Sequence, residues 1–319
     1  MGSASGDSIE AIFGPFRLQR LLGVSRVTEV WSGVAPGGVG VAVKRLLPHL
    51  SRDPLLRAAL GHEADVLRRV GGRWPVPRLQ DVDLEAARAP LPFLARASVR
   101  GAPLSALAAS PMPARIAGLG ALCDALAALH GAGFACGDVA PRNVVIDRNE
   151  RAWIIDLGAG RVLDMASEEE AVPLGGVATP AFASPEVAAG DRADAASDTF
   201  SFATVACWLL TGATPWSSLR GEARRAAIAA AQRAPDAPEC PGALGELLRP
   251  CWERDPLERP YLADLAAAWP RSAEASRALC DAVLAVPQGE PLRLAAAAED
   301  RGEVVTGPDD PDATCYREE

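Results

Sequence analysis

Between residues 16 and 47 apolar and polar positions alternate, the period of a strand with one buried face. Val27, Val30 and Trp31 precede a turn at Ala35-Pro36-Gly37-Gly38, and Val39, Val41 and Val43 follow it, which predicts a hairpin of twisted antiparallel strands. The period then changes. From Pro54 to Val70, Leu56, Leu60, Leu67 and Val70 recur at helical spacing with Gly71-Gly72 as the stop, which predicts one helix. Leu79 to Val82 and Pro92 to Val99 read as two further short strands before a break at Gly101-Ala102-Pro103.

Past that break the texture is helical. Ile116, Leu119, Leu122, Leu126 and Leu129 mark one amphipathic helix, and Ser197 to Leu210 and Leu244 to Trp252 mark others. The predicted fold class is therefore α+β with two lobes: a small β-rich lobe carrying one helix, over residues 16–99, and a larger, mostly α lobe over 100–270. Residues 1–15 and 271–319 read as extensions, the second acidic. The longest apolar stretch, around Phe200 to Leu210, is shorter than the roughly 20 residues that a membrane crossing needs, so no membrane partner is expected.

Composition removes several function classes. The chain has 319 residues, 49% hydrophobic and 23% charged, which is ordinary globular usage. Its 32 basic and 41 acidic residues leave a formal charge of -9 with no basic stripe, which argues against a nucleic-acid partner. From Arg271 onward 5 Arg face 11 acidic residues, so two-thirds of the net charge falls in that last segment, and from about Gly302 it reads as a solvated tail. Seven cysteines without a C-x-x-C pair, and a start that lacks a secretory pattern, lead to the expectation of buried thiols and a cytoplasmic location. The basic residues are 31 Arg and a single lysine, Lys44. Chance alone would put that lysine at a given basic position about one time in 32, while a mere surface charge in this chain would have been Arg, so Lys44 is a candidate functional group.

The chemistry concentrates in Cys136-Gly137-Asp138-Val139-Ala140-Pro141-Arg142-Asn143, an apolar strand over Val144 to Ile146, and Trp153-Ile154-Ile155-Asp156-Leu157-Gly158. Two acids and an amide bracket a hairpin and supply the hard oxygens that Mg²⁺ prefers, together with a carboxylate for an incoming hydroxyl. Either fragment alone is equally well an Asx turn or a strand end. Together they resemble the catalytic loop and metal-binding element of protein kinases, and Val41-Ala42-Val43-Lys44 resembles that family's phosphate-pairing lysine strand. Glu63, 19 residues on, lies on the predicted helix where the family pairs its lysine, with Asp65 as the rival. Thr179-Pro180-Ala181-Phe182-Ala183-Ser184-Pro185-Glu186 is similar to the end of an activation segment. Asp198 and Arg259 resemble two structural anchors, the first for the catalytic-loop backbone and the second for Glu186. The resemblance covers residues 16 to 269 and is to eukaryotic-like Ser/Thr protein kinases of bacterial type.

It implies ATP as cofactor with Mg²⁺, or Mn²⁺ in its place, and a protein substrate. Asp138 would be the catalytic carboxylate, with Lys44 and Arg142 beside it, and Asn143 and Asp156 would hold metal. Gly23, Val30, Ala42, Lys44, Glu63, Arg96, Ala97, Val99 and Val145 would line the nucleotide site. Four departures qualify this. Gly23-Val24-Ser25-Arg26-Val27-Thr28-Glu29-Val30 keeps one of the family's three loop glycines. Cys136 and Gly137 replace the His-Arg pair before the catalytic Asp, so this would be a non-RD kinase that does not depend on activation-loop phosphorylation; Ser167 and Thr179 are the hydroxyl residues between Gly158 and Ser184. Ala140 replaces a lysine whose charge Arg142 could supply, unless Arg142 is a plain surface residue. Arg96 aligns with the gatekeeper behind the adenine pocket, either buried against Glu63 or Asp156 or, with a slipped register, facing solvent. Two further readings stay open: a pseudokinase acting as a nucleotide- or partner-binding module, and a small-molecule phosphotransferase of the aminoglycoside-kinase type, whose loop also resembles Gly137 to Asn143.

Overall fold

The computed structural model of the chain describes residues 11–163, 179–216, 218–219, 221–230, 240 and 242–286; Ser167 and the acidic tail lie outside them. The first lobe is a six-stranded antiparallel sheet made of β1 (Ala11–Phe13), β2 (Phe16–Val24), β3 (Thr28–Val34), β4 (Gly40–Leu46), β5 (Leu79–Asp83) and β6 (Phe93–Ala97), in the spatial order β1-β2-β3-β4-β6-β5. The predicted hairpin is β3 and β4, paired from Thr28↔Leu46 to Val34↔Gly40. The last strand is shorter than the pattern suggested: β6 ends at Ala97, which leaves Val99 outside the sheet.

Alternation gives the sheet two apolar faces. On one, Val41, Val43, Phe93 and Ala95 meet Phe13, Phe16, Leu18 and Ala89 in a small core of their own. The sheet thus begins before residue 16: β1 belongs to the first lobe, because Phe13 packs edge-on against Phe93 at 5.6 Å. On the other face Leu46 and Leu94 join the main core with α1 (Pro54–Val70). That helix starts where Asp53 Oδ1 accepts from the amides of Leu55 and Leu56, and it stops at Gly71, whose φ of 73° suits a residue without Cβ.

The second lobe surrounds α2 (Met112–Gly131), which is long and apolar enough to cross a membrane by length and composition. Here it is a core helix, with Leu119, Leu122, Leu126 and Leu129 buried and with α4 (Ala195–Thr211), α7 (Leu262–Ala268) and α8 (Ala273–Ala285) against it. α8 lies past residue 271 and still packs by Leu279 and Val283, so the lobe runs further than the acidic composition indicated. Shorter helices α3 (Pro185–Ala189), α5 (Gly221–Ala230) and α6 (Gly242–Leu248) complete it. Three strands, β7 (Gly101–Pro103), β9 (Val144–Asp147) and β10 (Ala152–Ile154), form a second sheet in the order β10-β9-β7 beside the interlobe connection. A Cβ at Gly101 would lie 2.0 Å from the Ile146 carbonyl oxygen, so this strand crossing requires glycine. The pair β8 (Phe134–Ala135) and β11 (Arg161–Val162) closes the loops that carry the acids.

Candidate active site

The lower wall of the cleft begins where β8 ends. The next amides, Cys136 N–H and Gly137 N–H, donate to the two carboxylate oxygens of Asp198 at 2.7 and 2.9 Å, and His130 Nε2 donates to the same carboxylate at 2.9 Å. A carboxylate only 1% exposed is tolerable with three such donors, and it fixes the loop from below. Gly137, at φ 78°, passes so close to the 158–160 turn that a Cβ would lie 2.1 Å from the Ala159 carbonyl oxygen.

Asp138 is then held from both sides. Its Oδ1 accepts from Thr179 N–H at 2.7 Å, and its Oδ2 accepts from Asn143 Nδ2 at 2.8 Å. Arg142 is engaged rather than a free surface charge: its Nη2 donates to Thr179 Oγ1 and lies 3.7 Å from Asp138 Oδ2. The hairpin of β9 and β10 pairs Val144 with Ile154, and Ile155 N–H donates to the Asn143 carbonyl at 2.8 Å. This register sets Ile155 opposite Asn143, with Asp156 the next residue. With its Nδ2 turned to Asp138, Asn143 keeps Oδ1 without a donor among the described residues; this oxygen and the Asp156 carboxylate are hard donors of the kind that a divalent cation such as Mg²⁺ takes.

The upper wall reaches this pair through Lys44. Glu63 sits on the apolar side of α1 with Leu60, Ala64 and Leu67 and is 2% exposed, a costly position for an unpaired acid. Lys44 Nζ donates to Glu63 Oε2 at 2.8 Å and to Asp156 Oδ2 at 3.0 Å. Asp65, the rival, is an exposed residue paired with Arg68. Burial works against the Lys44 charge, yet Asp156 and Glu63 together hold its pKa well above the ordinary lysine range. Burial raises the Glu63 pKa in spite of Lys44, whereas for Asp156 the lysine and the Gly158 N–H outweigh burial and lower it. Burial also raises the Asp138 pKa, with Arg142 and Thr179 opposing.

These contacts follow the order of parts that a protein kinase needs, and a family model for protein tyrosine and serine/threonine kinases matches residues 16–268. The chain belongs to the protein kinase family. This kinase domain is 33% identical over 259 residues to the probable serine/threonine-protein kinase PkwA of Thermomonospora curvata, covering 80% of this chain and 34% of that protein. To serine/threonine-protein kinase PknH of Mycobacterium tuberculosis it is 29% identical over 222 residues, 68% of this chain and 34% of the other. To AfsK of Streptomyces coelicolor it is 31% identical over 261 residues, 80% and 31% respectively. The chain thus spans about a third of the length of these relatives.

Around this kinase site the remaining candidates fall as follows. Gly23 and Val30 face each other across β2 and β3, while Ala42 and Val145 are buried and Ala97 and Val99 half-buried. Arg96 does not face solvent. It is 7% exposed, opposite Ala42 on β4 and Leu79 on β5, and Glu63 and Asp156 support its charge without a direct ion pair. Arg259 bonds Glu186 at 2.6 and 3.0 Å, as the anchor role implies. Sequence reasoning missed three contacts. His62 Nε2 bonds the Gly160 carbonyl at 2.7 Å and so ties α1 to the turn after Asp156, and His130 is the third donor on Asp198. At the β2–β3 tip, Ser25 Oγ accepts from Val27 N–H and Thr28 N–H at 3.2 and 2.9 Å. With just three histidines in the chain, their adjacency to Glu63 and to the end of a core helix was the available signal for the first two.

Proposed function

We propose that this domain transfers the γ-phosphoryl group of Mg·ATP to Ser or Thr hydroxyls of a protein, in the cytoplasm, and does so without prior phosphorylation of its activation segment. The Ser/Thr names of its relatives support the acceptor class. The observation that carries the reading is the single chain of contacts from Glu63 through Lys44 to Asp156, with Asn143 and Asp138 adjoining.

In this reading the Asp138 carboxylate accepts a hydrogen bond from the acceptor hydroxyl and aims it in line, while Lys44 donates to phosphate oxygens. Arg142 sets a positive charge beside Asp138. Asn143 Oδ1 and the Asp156 carboxylate would hold the metal, which when bound neutralises charge on the phosphates. Independence from activation-segment phosphate is supported by Gly137: with no side chain before Asp138, no arginine there waits for a phosphate.

The test is transfer of labelled γ-phosphate from ATP to the chain itself and to mixed protein substrate, with Asp138→Asn alongside. A fall of about 10²- to 10⁴-fold in the variant is expected. No transfer by either form, with Mg²⁺ and with Mn²⁺, would favour the second reading, a pseudokinase that binds a nucleotide or partner. The self-bonded tip at Ser25 and the buried Arg96 are the observations on its side.

A further inference from the structure

One charged group in the cleft is not used by the phosphoryl-transfer machinery. Arg96 is more than nine-tenths buried, and among the described residues its guanidinium makes no hydrogen bond or ion pair. Burying such a charge is costly unless its donors are met. Glu63 and Asp156 offset part of that cost through space, and both are bonded to Lys44 instead. The guanidinium is not sealed off either. Among the described residues the fully enclosed side-chain atoms without partners are Arg20 Nε, Trp31 Nε1 and Ser184 Oγ, so the unpaired nitrogens of Arg96 retain some solvent contact.

Its place in the sheet indicates what would meet it. On β4 and β6 Lys44 stands opposite Leu94, and Ala42 opposite Arg96, so these four residues share the face turned to α1 and the cleft. Two residues of strand separate the levels of Lys44 and Arg96 by about 7 Å, on the side toward the interlobe connection. Lys44, Asn143 and Asp156 form the end suited to phosphate and metal. At the other end Ala42, buried and paired opposite Arg96, offers an apolar wall for a flat ring, while Val30 stands opposite Lys44.

We propose that Arg96 reads the nucleotide base and selects a 6-oxopurine, so that guanosine and inosine nucleotides bind more tightly than adenosine nucleotides. The proposal rests on the cleft being the nucleotide site argued above and alters only the preferred base, so that Mg·ATP serves in the same transfer as the more weakly bound donor. A guanidinium is a planar fork of donors with no acceptor and a permanent charge. Guanine and hypoxanthine present O6 and N7 side by side, two acceptors that match this fork. Adenine presents N7 beside the N6 amino group, and a donor set against a donor leaves both unpaired.

The experiment is calorimetric titration of the purified chain in Mg²⁺ with ADP, GDP, IDP and inorganic tripolyphosphate, repeated for Arg96→Met and Arg96→Lys. GDP and IDP are expected to bind about 10- to 100-fold tighter than ADP. IDP should match GDP, because the 2-amino group plays no part. Arg96→Met should erase the preference, and Arg96→Lys, which keeps the charge and loses the fork, should narrow it. ADP binding as tightly as GDP to the unmodified protein, with binding lost in Lys44→Met, would overturn the base proposal and leave the nucleotide site standing. Equal weakening of tripolyphosphate and GDP in Arg96→Met would also overturn it, since the contact would then be to phosphate. If no nucleotide binds, the proposal and the site fall together. Should Arg96→Met not fold, the base ratio of the unmodified protein and the lysine variant decide.

Discussion

Asp198 beneath the catalytic loop and Ser25 at the tip of the β2–β3 hairpin both accept from backbone amides, with opposite results. Asp198 is buried, and its three donors place the loop so that Asp138 and Asn143 face the cleft. Ser25 is exposed, and its hydroxyl occupies the Val27 and Thr28 amides at the turn where a glycine-rich tip would leave N–H groups for phosphate. The lower wall spends side chains to present chemistry; the upper tip spends one to satisfy itself. Both walls depart from the family pattern, the upper at Ser25 and Arg96 and the lower at Cys136, Gly137 and Ala140, but the lower wall keeps its acids.

The contrast can be broken most severely from below. Asp198→Ala would strand three donors in the interior at about 1–3 kcal/mol each, so denaturant unfolding should report a loss of several kcal/mol together with loss of transfer. An unchanged midpoint would mean that the loop holds itself. Next comes the link between the walls: Glu63→Gln removes the charge partner of Lys44 inside the core, and kcat/KM should fall about 10- to 100-fold with the global fold retained.

A smaller effect sharpens the lower wall. Burial raises the Asp138 pKa, so the carboxyl is protonated at a higher pH than an ordinary aspartate. Because the ionised form accepts the hydroxyl proton, the acid limb of the kcat profile should lie above the ordinary aspartate value of about 3.9. A limb at or below that value would mean the bonds from Arg142 and Thr179 dominate. The smallest change is expected at the tip. Ser25→Gly frees two amides, so the nucleotide KM should drop a few-fold, while stability changes by about 1 kcal/mol or less.

The parts of this molecule that were legible in the sequence are those with a local rule. Pro54 to Val70 carries its own period, cap and stop, and it is observed with those bounds. The hairpin over 28–46 follows alternation and a Gly-Gly turn. Asp138, Asn143 and Asp156 stood out because their spacing brackets a hairpin, and the observed register sets Ile155 opposite Asn143 with Asp156 next. What escaped depends on partners far along the chain. Nothing near residue 13 announces that Phe13 will meet Phe93, and nothing near His62 announces the Gly160 carbonyl. Arg96 lies between these cases: its position on β6 was legible, whereas its burial near Glu63 and Asp156, without a bonded partner among the described residues, depends on segments far along the chain.

The small core behind the sheet bears on how the domain can be cut. A fragment begun at residue 16, where the family match starts, would lose β1 and lift Phe13 off Phe93, uncovering apolar surface shared with Val43 and Ala95. Such a truncation would keep every group of the cleft and still yield a self-associating product, so the smallest well-behaved unit includes β1 from Ala11.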